Sequence, residues 1–145
     1  MRQEESREID GETYLVRMLD PDTAIDLLID LFDMLGDALS AVIRVDMDDG
    51  EAQEKAIGIA LRLLVGKVEK AKVHAAITAL SKVSDVNGKP LAGVYKVHFM
   101  GRIGTLAKWL VFALQVQYSD FTDAFGHIPI LQTPPQRSGN PEGNG

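Results

Sequence analysis

The chain has 145 residues, 46% of them hydrophobic, and 21 acidic against 15 basic side chains give a formal net charge of -6. That size and apolar content suit one domain with a real core. The acidic balance excludes the concentrated positive footprint with which proteins displace counterions from nucleic acid, and the absence of cysteine leaves neither disulfides nor thiolate metal sites to hold the fold.

Residues 1–8 are charged and lack the apolar core of a secretory signal, and residues 1–6 are expected to be a flexible N-terminus. In residues 7–18, Asp10-Gly11 supplies the positive-φ pair of a tight hairpin turn, which puts Tyr14, Val16 and Met18 on one face of a β-hairpin. A lone hairpin is marginal in water, so this one is read as a lid or edge lying on helices. Asp20 can cap a helix that Pro21 opens. Ala24, Leu27, Leu28, Leu31, Phe32 and Leu35 form its buried stripe, and Gly36 is available as a left-handed cap. A second helical stretch, 37–45, buries Leu39, Val42 and Ile43.

After the polar turn at 46–50, helical spacing resumes over 51–65 through Ala56, Ile57, Ala60, Leu61 and Leu64, with Gly66 ending it. Residues 67–83 repeat the pattern in Val73, Ala76, Ile77 and Leu80, with lysines facing water. Asn87-Gly88 marks a second small hairpin joining 83–86 to 91–97. The longest apolar helix spans 99–118, and between Leu106 and Val116 its hydrophobic residues surround nearly the whole circumference. Such a helix is either central or paired with a partner, which makes self-association an expectation. Ser119-Asp120 can cap a last short turn carrying Phe121 and Phe125. Residues 126–145 hold four of the chain's six prolines and four of its 13 glycines and are expected to form a flexible tail. The expected fold is mainly α: about five helices in a compact bundle with an N-terminal β-hairpin, one domain over 7–125. The longest apolar run is far shorter than the roughly 20 residues of a membrane span, so a soluble protein is expected, and the absence of cysteine suits the reducing cytoplasm.

Five aspartates, Asp22, Asp26, Asp30, Asp33 and Asp37, fall at spacings of four, four, three and four, which places them in one row on the first long helix. Two readings stand: a solvated face opposite the leucines, or an acidic surface for a basic partner segment whose arrival relieves the like-charge repulsion. The aromatic set Trp109, Phe112, Tyr118, Phe121 and Phe125 likewise reads as core or as a partner-binding surface. Catalytic and metal chemistry finds no support. The turn at 46–50 has its glycine one place early for a calcium loop and Ile57 where the last ligand should be. His74, His98 and His127 lack a metal-pair spacing, and neither a nucleophile elbow nor a phosphate loop is present. No cofactor and no metal are expected.

Three segments together resemble the tail assembly chaperones of long-tailed bacteriophages. They are the opening Arg7-Glu8-Ile9-Asp10-Gly11-Glu12-Thr13-Tyr14, the leucine-rich helix Leu27-Leu28-Ile29-Asp30-Leu31-Phe32-Asp33-Met34-Leu35-Gly36, and the run from Val97-His98-Phe99-Met100-Gly101-Arg102 through Trp109 to Tyr118-Ser119-Asp120-Phe121. Members often carry Asn where Gln117 stands. The resemblance implies a non-enzymatic protein of phage or prophage morphogenesis that keeps the long helical tape measure protein soluble while tail tube subunits assemble around it. It also implies action in the bacterial host cytoplasm and absence from the finished virion. A structural tail or connector component is the alternative expectation, distinguished by its presence in purified particles.

Overall fold

A computed structural model describes residues 4–44, 49–66 and 69–125 of the protein, with 119–125 described by their helical backbone alone. The order of elements is β1 (Glu4–Ile9), β2 (Glu12–Arg17), α1 (Pro21–Leu35), α2 (Ala38–Ile43), α3 (Gly50–Val65), α4 (Lys70–Ser81), β3 (Ser84–Val86), β4 (Lys89–Pro90), α5 (Tyr95–His98) and α6 (Ile103–Phe125). The architecture is therefore a mainly α bundle with an N-terminal hairpin. Residues 46–48 of the polar turn and the segment 126–145 lie outside the described residues.

Both hairpin turns form where the sequence places them. Asp10 and Gly11 have φ of 51° and 86°, Asn87 and Gly88 of 52° and 82°, the left-handed pair that matches the twist of the flanking strands. The two hairpins also join each other. β2 pairs antiparallel with β3, with Tyr14 opposite Val86 and Val16 opposite Ser84, so a four-stranded sheet runs in the order β1-β2-β3-β4. The seam is fixed by the Thr13 amide donating to Asn87 Oδ1 at 3.0 Å and by the Arg17 guanidinium on Asp85 at 3.0 Å.

This sheet corrects three expectations. The hairpin is not a lid: Tyr14 and Val16 are fully buried, because pairing with β3 widens the sheet enough for its inner face to become a wall of the core. Residues 4–6 are not free, since β2 extends to Arg17 and pairs Glu4, Glu5 and Ser6 with Arg17, Val16 and Leu15. Nor is 91–97 a strand. β4 ends at Pro90, which has no amide hydrogen for a ladder, and Gly93 at φ 79° turns the chain into α5.

Helix α1 begins as its sequence dictates: Asp20 Oδ2 accepts the Thr23 amide at 3.0 Å and Pro21 takes the first position. Gly36, at φ 56°, ends it and donates its amide to the Phe32 carbonyl at 2.8 Å. Helix α6 is longer than read, running unbroken through Ser119-Asp120 to Phe125 without a separate capped turn. Every apolar side chain from Leu106 to Val116 is buried, because α2, α3, β1 and β2 all pack around this helix. Its apolar circumference is covered within the chain, which removes the reason the sequence offered for pairing α6 with a second copy.

Candidate partner-binding face

Three places concentrate polar or exposed apolar groups that the fold does not require merely to form its elements. The first is the junction of the Asp10-Gly11 turn with the start of α6. Thr105 Oγ1 donates to Asp10 Oδ2 at 2.6 Å and Lys108 Nζ to Asp10 Oδ1 at 2.8 Å. The Lys108 hydrogen bond, followed by that of Thr105, holds the Asp10 carboxyl below its usual range, and the Arg102 guanidinium does the same for Glu12. The Tyr14 hydroxyl lies 2.7 Å from His98 Nε2, and burial, with the nearby Glu12 charge, pushes its pKa up. Tyr14 stacks on Phe99, whose ring is 5.5 Å from that of Trp109. Ionisable groups converge here, yet each has a partner within the cluster and the rings fill its floor. The junction acts as a clasp between sheet and α6. Among the described residues no group of histidine and acidic side chains is arranged to hold a metal ion.

The second place is the far end of α6. Gln117 is buried, and its carboxamide accepts the Leu19 amide at 2.8 Å while donating to the Arg17 carbonyl at 2.7 Å. Tyr118 donates its hydroxyl hydrogen to the Ala24 carbonyl at 2.8 Å. These bonds fix the path of the β2–α1 connection and so aim α1.

The third is the outward face of α1. Ile25, Ile29 and Phe32 are each 55% exposed, and their spacing of four and three sets them in one stripe. Beside that stripe run Asp22, Asp26 and Asp33, all exposed. Asp30 is half-buried, and Lys72 of α4 reaches both it and Asp33 at 3.8 Å. Asp22 and Asp26 have no cationic partner among the described residues. Asp37 stands apart from the row, because Gly36 ends the helix before it and Asp37 leads into α2.

The structure thus divides the residues singled out from the sequence. Asp22, Asp26 and Asp33 lie on an open surface. Trp109, Phe112 and Tyr118 are interior, at 0%, 2% and 3% exposure; the side chains of Phe121 and Phe125 lie outside what is described. Phe32, read as core, faces out, because only the side of α1 bearing Leu27 and Leu31 meets the bundle. Ile25 and Ile29 were not singled out. A signal for them existed, since apolar residues occupy more of the circumference of α1 than one buried stripe can hold.

Comparison with known proteins matches residues 10–128 to the family described as phage tail assembly chaperone protein, TAC. No curated protein and no solved structure matches the chain.

Proposed function

The chain belongs to the phage tail assembly chaperone family, and from that membership we propose that it binds the tape measure protein through the outward face of α1, keeping it soluble while tail tube subunits assemble around it. The observation that carries this reading is the exposed stripe Ile25, Ile29 and Phe32 beside Asp22 and Asp26, which have no cationic partner among the described residues. An apolar stripe left in water marks an interaction surface, and a helical client segment with apolar residues at matching spacing would cover it. The flanking carboxylates favour a client with lysine or arginine beside its apolar face, and they hasten encounter more than they tighten the complex. Binding is the whole of the activity, carried out in the host cytoplasm, and the finished particle does not retain the protein.

Co-expression with the tape measure protein of the same phage or prophage tests this. The native chain is expected to raise the soluble fraction of the client, and the variant Ile25→Ser/Ile29→Ser/Phe32→Ser, still folded by circular dichroism, to lose that effect. A folded triple variant that solubilises the client as well as the native chain would move the binding surface elsewhere. Detection of the protein in purified virions at stoichiometric amounts would favour a structural tail component instead.

A further inference from the structure

A second open apolar surface lies on the other side of α4 from α1. It is a groove of about 530 Å³ between the end of α3, the first turns of α4, and the α5–α6 junction. Val73, Ile77 and Phe99 form its buried floor, while Val65 and Met100, 72% and 71% exposed, stand at its rim. Charge at the groove has one sign. Lys70 and His74 line it from α4 and Lys96 from α5, all three exposed, and no acidic side chain is among its described lining residues. Neither lysine has a carboxylate partner among the described residues, whereas Lys72, on the side of α4 that meets α1, pairs with Asp30, Asp33 and Glu69.

An occupant of this groove must supply apolar side chains for the floor, cover Val65 and Met100 above it, and bring negative charge to two walls. A small apolar ligand on the floor leaves the rim in water. A peptide that adds as a strand needs an open sheet edge, and this groove is bounded by helices and the turn at Gly101. A helix laid across the rim meets all three demands, its apolar residues reaching the floor at helical spacing and its two sides meeting the lysines. The stripe of α1 from a second copy is a poorer match. Asp22, Asp26, Asp30 and Asp33 all fall on one side of Ile25, Ile29 and Phe32, and the helix positions on the other side, Ala24, Leu28 and Leu35, carry no charge. We propose that the groove binds an amphipathic helix of another protein, one whose apolar stripe carries glutamate or aspartate along both sides. On the reading given to α1 above, one copy then holds two helical segments at once and sorts them by charge, a basic one beside α1 and an acidic one in the groove.

The test uses the full chain and labelled synthetic peptides, read by fluorescence anisotropy. One peptide repeats leucines at helical spacing with glutamates along both sides, a second has lysines in place of the glutamates, and a third keeps glutamates on one side with glutamines on the other. The first is expected to bind roughly tenfold more tightly than the second and roughly threefold more tightly than the third, and to weaken as salt screens the rim. Lys70→Glu/Lys96→Glu changes only exposed side chains. In that variant, folded by circular dichroism, the preference between the first two peptides is expected to reverse. Ile25→Ser/Ile29→Ser/Phe32→Ser is expected to leave binding of the first peptide unchanged, since α1 does not line the groove, so failure at the groove is distinguishable from failure of binding at α1. Equal binding of the first peptide and either of the others, a preference that Lys70→Glu/Lys96→Glu does not alter, or loss of binding in the α1 variant would overturn the proposal. So would a native chain that sediments above the monomer mass and falls to it in Lys70→Glu/Lys96→Glu, because the groove would then belong to a second copy.

Discussion

Helices α1 and α6 both carry more apolar surface than a single buried stripe needs, and the fold treats them in opposite ways. Around α6 the sheet, α2 and α3 close on every side, so even Trp109 and Phe112 are interior. Around α1 the neighbours cover one side only, and Ile25, Ile29 and Phe32 remain in water. Apolar content alone therefore does not mark a binding surface. What decides is whether the neighbouring elements reach around the helix, and that depends on long-range pairing.

The sharpest way to break this comparison is to truncate a side chain on the enclosed helix. Trp109→Ala is expected to cost about 3–5 kcal/mol in urea unfolding, since the ring is fully buried and its neighbour Phe99 cannot refill the space. That is a large part of the stability of an ordinary domain, about 5–15 kcal/mol. A loss below about 1 kcal/mol would mean that α6 is not the centre of the core. Next in size is the link between the two helices. Gln117→Ala removes both bonds to the β2–α1 connection and leaves the Leu19 amide and Arg17 carbonyl without this partner, an expected loss of about 1–3 kcal/mol. Gln117→Asn retains the carboxamide on a shorter stem, and the smaller loss expected of it separates the hydrogen bonds from the packing.

The unequal treatment of α1 and α6 was only partly legible in the sequence. Local chemistry was: Asp10-Gly11 and Asn87-Gly88 fold as turns, Asp20-Pro21 opens α1 and Gly36 closes it, because each depends on a few adjacent backbone groups. The core stripe of α4, Val73, Ala76, Ile77 and Leu80, followed from spacing in the same way. The pairing of Tyr14 with Val86 did not, since it joins segments far apart in the chain and β3 is only three residues long. Without that pairing the hairpin reads as a lid, and the enclosure of α6 stays hidden. For the candidate site the acidic row was visible as a period and the apolar surplus of α1 as a count, but which apolar residues stay in water beside the row was not. Which of two apolar faces turns inward is settled by α1's surroundings, not by its own sequence.

The clasp between the hairpin turn and α6 sharpens the contrast by pH. Asp10 and Glu12 have pKa values lowered on folding, by hydrogen bonds from Lys108 and Thr105 and from Arg102 respectively. A lowered carboxylate pKa means that the unfolded chain binds protons more readily, so the stabilisation is complete above the ordinary values of 3.8 and 4.5 and is lost as pH falls through and below them. Stability measured from pH 6 down to about 3 is expected to drop less steeply in Asp10→Asn/Glu12→Gln than in the native chain. An unchanged slope would mean that the clasp does not contribute to the acid sensitivity of the fold.

The smallest expected effect on stability is on the open face, and it discriminates best between the two helices. Phe32→Ser and Ile29→Ser each remove a side chain that is more than half exposed, so unfolding free energies are expected to stay within about 0.5 kcal/mol of the native value. In Phe32→Ser the core residues Leu27 and Leu31 remain in place, and Gly36 still caps the helix through the Phe32 carbonyl, a backbone group the substitution leaves intact. A side chain that contributes so little to the fold has another reason to be apolar. Combined on one chain, the two substitutions should leave urea unfolding close to that of the native protein while abolishing the gain in tape measure protein solubility that the proposed function expects of the native chain. If they instead destabilise the chain by 2 kcal/mol or more, in the range of buried positions, then α1 is enclosed as α6 is, and the distinction between the two helices is lost.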